Sequence, residues 1–219
     1  MMKGVVFLIR HHFKMELRNA HSISSLVLFA LASVYTAFQV IQGEAKPETW
    51  NAMAWLILLF TSFNSASRPM AEDNSSVITY LHWTVPPKVL IVARTIHQSL
   101  IMTALSTLVL FAMGIFLGSL DAISMLYFLL GLVITGVALS CTLTLVSAIS
   151  ARAGAGYGLT AILGLPLIIP IILISTSYGT DIISEIPLEE TFENILLLCA
   201  ISIGSGTLGF ILFSYLWRS

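Results

Sequence analysis

The sequence predicts an all-α, polytopic membrane protein. It has six transmembrane helices, an amphipathic helix ahead of them and a further helix in the loop after the second span. Three observations predict it. Of 219 residues, 57% are hydrophobic and only 10% are charged, against roughly 25% charged residues in an average soluble domain. Six apolar runs approach the ~20 residues that a membrane-crossing helix needs. Lys and Arg fall almost entirely on one side of those runs. A soluble domain of this length needs charge to cover its surface, whereas hydrocarbon needs none.

The chain opens with Lys3 to Ala20, in which Val6, Phe7, Arg10, Phe13, Lys14, Leu17 and Arg18 recur at helical spacing. Apolar and basic residues interleaved in this way predict a helix lying at the membrane surface, where cations meet anionic headgroups. Arg10, Lys14 and Arg18 are its interfacial residues. Charges return at Arg10, Lys14, Glu16 and Arg18 before any small-residue cleavage site, so a removable signal peptide is not expected.

The span cores are Ser22 to Val40, Trp50 to Ser65, Ser99 to Leu117, Met125 to Ile149, Leu159 to Ser175 and Ile195 to Leu216. The second is the shortest. With a cytoplasmic N-terminus, Lys3, Arg10, Lys14, Arg18, Arg68, Lys88, Arg94, Arg152 and Arg218 lie inside and only Lys46 lies outside. Positive-inside loops therefore place both termini in the cytoplasm of a multi-pass inner-membrane protein. The resulting division is 1–21 interfacial helix, 22–66 spans one and two, 67–98 cytoplasmic segment, 99–176 spans three to five, 177–193 outer segment and 194–219 last span and C-terminus, all within a single transmembrane domain.

Two of the connecting segments carry information. In the cytoplasmic one, Glu72, Asp73, Asn74, Ser75 and Ser76 precede the apolar stretch Val77 to Val85, and Pro86-Pro87 follows. Acidic and capping residues start a helix and a double proline ends one, so a short surface helix with a negative N-terminus is expected. In the outer one, Ser177 to Glu193, Ile182, Ile183, Ile186 and Leu188 surround acidic residues and Pro187. This pattern predicts a short helix dipping back toward the membrane.

The chemistry in the sequence is sparse. There is no G-x-x-x-x-G-K-[ST] loop to cradle nucleotide phosphates, so the chain is not expected to be an enzyme and any ATP must be hydrolysed by a partner. The span cores hold no carboxylate, which argues against ion-driven secondary transport. Cys141 and Cys199 sit alone in apolar runs and are expected to be packing residues. Histidines 11, 12, 21, 82 and 97 lack the spaced partners of a metal or haem site, so no metal ligand is assigned. Pro166 and Pro170, four residues apart in the fifth span, each remove a backbone donor and predict a kink there. Gly154, Gly156, Gly158, Gly164, Gly204, Gly206 and Gly209 permit close helix contacts. No nucleic-acid partner is implied by a net charge of -1.

The order of these features resembles the permease subunit of ABC-2 type exporters, and more closely the haem exporter protein B (CcmB) family of cytochrome c maturation. Ala71-Glu72-Asp73-Asn74-Ser75 stands where that family carries Glu-Asp-Gly-Ser, with Asn74 in place of the glycine. Val85 to Arg94 resembles its proline-bearing run into the third span, although Thr84-Val85-Pro86-Pro87 departs from Leu-Pro-Leu-Pro. Gly164 to Pro170 resembles its Leu-Pro-Leu-x-Ile-Pro element, and Ser214 to Ser219 is similar to the ending of the Bacteroidetes branch.

The resemblance implies a permease that dimerises with a second copy, binds two copies of a cytoplasmic ABC ATPase, and works with haem-handling membrane proteins. It implies ATP on the partner and haem as the candidate substrate, with ATP hydrolysis driving haem export or release of the haem-loaded periplasmic chaperone. Residues 67–98, with Glu72 to Ser76, become an ATPase-coupling segment whose motion spans one, two and five follow. A permease for another small amphiphile and a non-transporting scaffold of the haem-handling complex are the alternative readings.

Overall fold

The computed structural model describes residues 2–18, 20–41, 45–66, 86–118, 120–152 and 156–216. Seven α-helices make up almost all of these residues: α1 Met2–Arg18, α2 Ala20–Ile41, α3 Pro47–Ala66, α4 Pro87–Phe116, α5 Ala122–Arg152, α6 Gly156–Ile183 and α7 Leu188–Leu216. The protein is an all-α, polytopic membrane protein. Five of the helices, α2 and α4 to α7, are long and apolar enough to cross a bilayer.

The expectation of six spans is met by five on that criterion, and α3 is the difference. At 20 residues it is about 30 Å long at ~1.5 Å per residue, so its length suffices. What it lacks is apolarity, because Asn51, Thr61, Ser62 and Ser65 are all buried along it. Those polar groups are tolerated because α3 packs against α2, α4, α5 and α6 and turns little of its surface outward.

Helices α2 to α7 run alternately up and down. Trp50 donates its indole N–H to the Gly118 carbonyl at 3.1 Å and Gln98 donates to Ser65 Oγ at 2.7 Å, so α3 and α4 are antiparallel. Ser99 and Ser140 meet at 2.6 Å near one end of the α4–α5 pair, while Gly114 faces Met125 near the other. Thr135 and Ser175 pair at 2.8 Å between α5 and α6. In hydrocarbon, apolar burial does not drive helices together, so small residues and hydroxyl contacts of about 0.6 kcal/mol each carry much of the specificity.

Helix α5 is the centre. Phe128, Leu132, Ala138, Leu139 and Leu143 are fully buried, and the helix contacts α3, α4, α6 and α7. A helix that is apolar on every side suits a position with protein on most sides. Around it, exposed Leu28, Phe111, Ile162, Leu173 and Ile203 form the outward surface that lipid would cover.

Two boundaries differ from the sequence expectation. Residues 87–98, expected within the cytoplasmic segment, are the first three turns of α4, because Pro87 occupies the N1 position, where its missing N–H costs nothing. Residues 177–193 form no separate dipping helix. Helix α6 continues to Ile183, with Tyr178 and Ile182 buried in the core. It closes with Ile186 N–H donating to the Asp181 carbonyl at 3.0 Å, Glu185 N–H donating to the Ile182 carbonyl at 3.2 Å, and Glu185 at φ 57. This is the Schellman arrangement, and α7 starts immediately after Pro187. The turn is too tight to leave a re-entrant element.

Candidate functional site: the α1 end of the bundle

One end of the bundle gathers α1, the last turn of α3, the first turns of α4 and the last turns of α5 and α7. Leu8 of α1 is buried in a cluster with Val89, Leu90, Ile91 and Ala93 of α4, Ala148 of α5 and Phe213 of α7. Lys88 lies over the Phe210 ring at 5.1 Å, which holds the head of α4 to α7. Both flanks of residues 67–85 lie at this end, since α3 stops at Ala66 and α4 starts at Pro87.

The residues expected to couple to an ATPase, Glu72, Asp73, Asn74, Ser75 and Ser76, lie outside the described residues. Arg10, Lys14 and Arg18 are all exposed. They follow one another at every fourth position, so they share a face of α1, and Phe7 is exposed with them. The opposite face carries Val5, Leu8 and Ile9, packed on the bundle. Helix α1 is therefore two-sided, with a basic and aromatic face outward and an apolar face inward.

Two of the histidines to which no ligand role was assigned, His12 and His97, converge here. His97 of α4 is buried, with the Phe13 ring edge-on at 4.8 Å and the His12 ring at 5.5 Å. Glu16 Oε2 lies 2.9 Å from His97 Nε2. Beside His97, Gln98 makes its bond to Ser65. No group among the described residues has the geometry to hold a metal ion.

Pro166 and Pro170 are both exposed on the outward side of α6, whose helix runs unbroken through them while Ile168 between them is buried. Cys141 is partly buried beside Gly206, whereas Cys199 is exposed on α7. The packing role expected for Cys199 is thus not filled within this chain, because its helix face turns outward there.

The far end is held by a second polar group that the sequence did not single out. Asn51 donates to the Thr176 carbonyl and to Thr180 Oγ1, each at 3.0 Å, and accepts from Trp55 Nε1 at 2.6 Å. Gly179 makes this possible, since a Cβ there would collide with Asn51 and Trp55. An amide one turn into the span, ahead of the apolar run of residues 52–60, is the signal the sequence offers. Asn194 also donates to Asp181 Oδ2 at 2.9 Å, so α6 and α7 are joined beside their turn.

Compared with known proteins, residues 3–215 match the family described as CcmB protein. No curated protein matches the chain.

Proposed function

The chain belongs to the CcmB family, the membrane permeases of haem export and cytochrome c biogenesis, and from that premise we propose that it is the subunit through which a cytoplasmic ATPase drives this process. The observation that carries the reading is the segregation of charge between the two ends of the bundle. Among the described residues, the α1 end holds every Lys and Arg except Lys46, whereas Glu48, Asp121, Asp181, Glu185, Glu189 and Glu193 lie at the far end. Cations collect on the cytoplasmic side, so the α1 end is cytoplasmic and both chain ends lie inside. That requires α3 to be the sixth crossing, its polar residues sheltered by its neighbours.

On this reading residues 67–85 leave α3 and return to α4 on the cytoplasmic face. A permease without its own phosphate-binding loop needs its contact with the ATPase there, and Glu72 to Ser76 supply negative charge that a basic groove on the ATPase would accept. Arg10, Lys14 and Arg18 rest α1 on anionic headgroups. Two copies of the chain meet two ATPases, haem-handling membrane proteins complete the assembly, and Pro166 and Pro170 supply a bend in α6 that yields when the coupling segment moves. Haem is the substrate, exported directly or released on its periplasmic chaperone.

The test replaces Glu72 and Asp73 together with Lys in the native gene. Membrane levels of the protein are expected to stay normal while covalently bound haem in c-type cytochromes is lost and ATP hydrolysis by the partner continues. Wild-type cytochrome yield in that variant would remove the coupling assignment.

A further inference from the structure

Helix α1 contains a single acid, Glu16, and α4 a single histidine, His97. These two residues meet at 2.9 Å, with their side chains only 16% and 10% exposed. Neither Glu16 Oε2 nor His97 Nε2 has an aligned hydrogen-bond partner, so the contact is one of proximity between two polar groups. The Phe13 edge and the His12 ring complete the surroundings of His97, and Arg94 precedes it by about one turn on α4.

Away from Glu16, His12 and the turn of Arg94 and His97, the α1 docking surface is apolar. Leu8, with Val5 and Ile9, packs on Val89, Leu90 and Ala93. Such a surface selects which face of α1 docks, but it discriminates weakly between positions along the axis, since one aliphatic side chain replaces another a turn away. A mostly covered carboxylate discriminates strongly, because a slide leaves it without its partner in an apolar setting. Setting register is the best attested use of a buried polar contact.

We propose that the Glu16–His97 contact is a register lock, which holds α1 at one axial position on α4 and makes α1 move with the head of α4 as one body. His12 lies four residues before Glu16, on the same side of the helix and already beside His97. A slide of α1 by one turn, about 6 Å for four residues at ~1.5 Å each, would set His12 where Glu16 stands and put two imidazoles together without the carboxylate. The lock is what disfavours that second position. The inference stands apart from ATPase coupling, because it concerns the position of α1 in the chain by itself.

The test is a distance measurement on the full chain in lipid nanodiscs, by pulsed electron paramagnetic resonance, in a background with Cys141→Ala and Cys199→Ala. One pair of spin labels reads the lock, at Met15→Cys on α1 and Ile115→Cys on α4. A second pair, Ile115→Cys with Ile203→Cys on α7, reports on the bundle. A single narrow distance is expected for the unaltered pair. Glu16→Gln and His97→Phe, which keep size and ring packing, are each expected to add a population displaced by about one 5.4 Å turn. The exchange Glu16→His with His97→Glu is expected to restore the single distance.

Single variants that keep the unaltered distribution would overturn the lock, as would an exchange that stays displaced. Movement of the α4–α7 pair in the single variants would also overturn it, by making Glu16 and His97 packing residues of the whole bundle.

Discussion

Gly131 of α5 lies directly against the ring of Tyr178 on α6, so close that a Cβ at residue 131 would collide with the ring's edge. The Tyr178 hydroxyl reaches one turn back along α5 and donates to the Tyr127 carbonyl at 2.7 Å. Ring and hydroxyl together clamp the two helices at a separation that only glycine permits. Gly131→Ala is accordingly expected to destabilise the protein by about 1–3 kcal/mol through overpacking. Tyr178→Phe, which loses only the hydrogen bond, is expected to cost about 1 kcal/mol. Equilibrium unfolding in mixed detergent micelles separates the two, and a smaller effect for Gly131→Ala would contradict the clamp.

Asn51 serves three partners at once, as donor to Thr176 and Thr180 and as acceptor from Trp55. Asn51→Leu fills similar space but strands the Trp55 indole N–H, and a loss of about 1–3 kcal/mol is expected. Adding Trp55→Phe removes the stranded donor as well, so the double variant should be less destabilised than the sum of the two single changes. The same unfolding measurement reads this, and strict additivity would show that the indole N–H finds another partner.

Glu185 is the only non-glycine residue with positive φ among the described residues, at φ 57 in the turn that ends α6. A side chain in the left-handed region costs about 1–2 kcal/mol, part of which glycine returns through a freer unfolded chain. Glu185→Gly is therefore expected to raise stability by about 0.5–1 kcal/mol. A thermal melt that falls in this variant would mean that the Glu185 side chain contributes more than its backbone strain removes.

The proposed orientation makes a direct prediction about access. In a cysteine-free background, Lys46→Cys and Asp121→Cys at the far end are expected to react with a membrane-impermeant maleimide in spheroplasts. Arg10→Cys and Lys88→Cys at the α1 end should react only after the membrane is opened. Outside labelling of Lys46→Cys together with Lys88→Cys, with Arg10→Cys and Asp121→Cys protected, would show that α3 does not cross, and outside labelling of Arg10→Cys and Lys88→Cys alone would invert the chain.

Much of this architecture was legible in the order of residues. The long apolar runs became α2 and α4 to α7 because hydrocarbon leaves a backbone no alternative to internal hydrogen bonds. The amphipathic spacing of residues 3–20 became the two-sided α1, with Arg10, Lys14 and Arg18 outward as their four-residue spacing requires. The third span starts earlier than its apolar core because a double proline both ends one segment and, through Pro87, opens the next helix. The outer segment is ambiguous in sequence because its isoleucines suit either a dipping helix or the buried face of a continuing α6. Only packing against α5 distinguishes these.

The amino-acid sequence by itself determined that this protein lives in a membrane, where its long apolar segments lie and which ends of them carry positive charge, since these follow from solvent transfer and electrostatics acting on local stretches of chain. The tertiary structure alone decided that Glu16 meets His97, that Asn51 meets Thr176 and Thr180, and that Tyr178 rests on Gly131. Each of those pairs joins residues on different helices. No local pattern encodes their meeting, because a pairing of this kind exists only after the helices have settled at their particular rotations and axial positions. The α1 end is where both kinds of information combine: a helix written plainly in the sequence, held in place by a contact that only the fold creates.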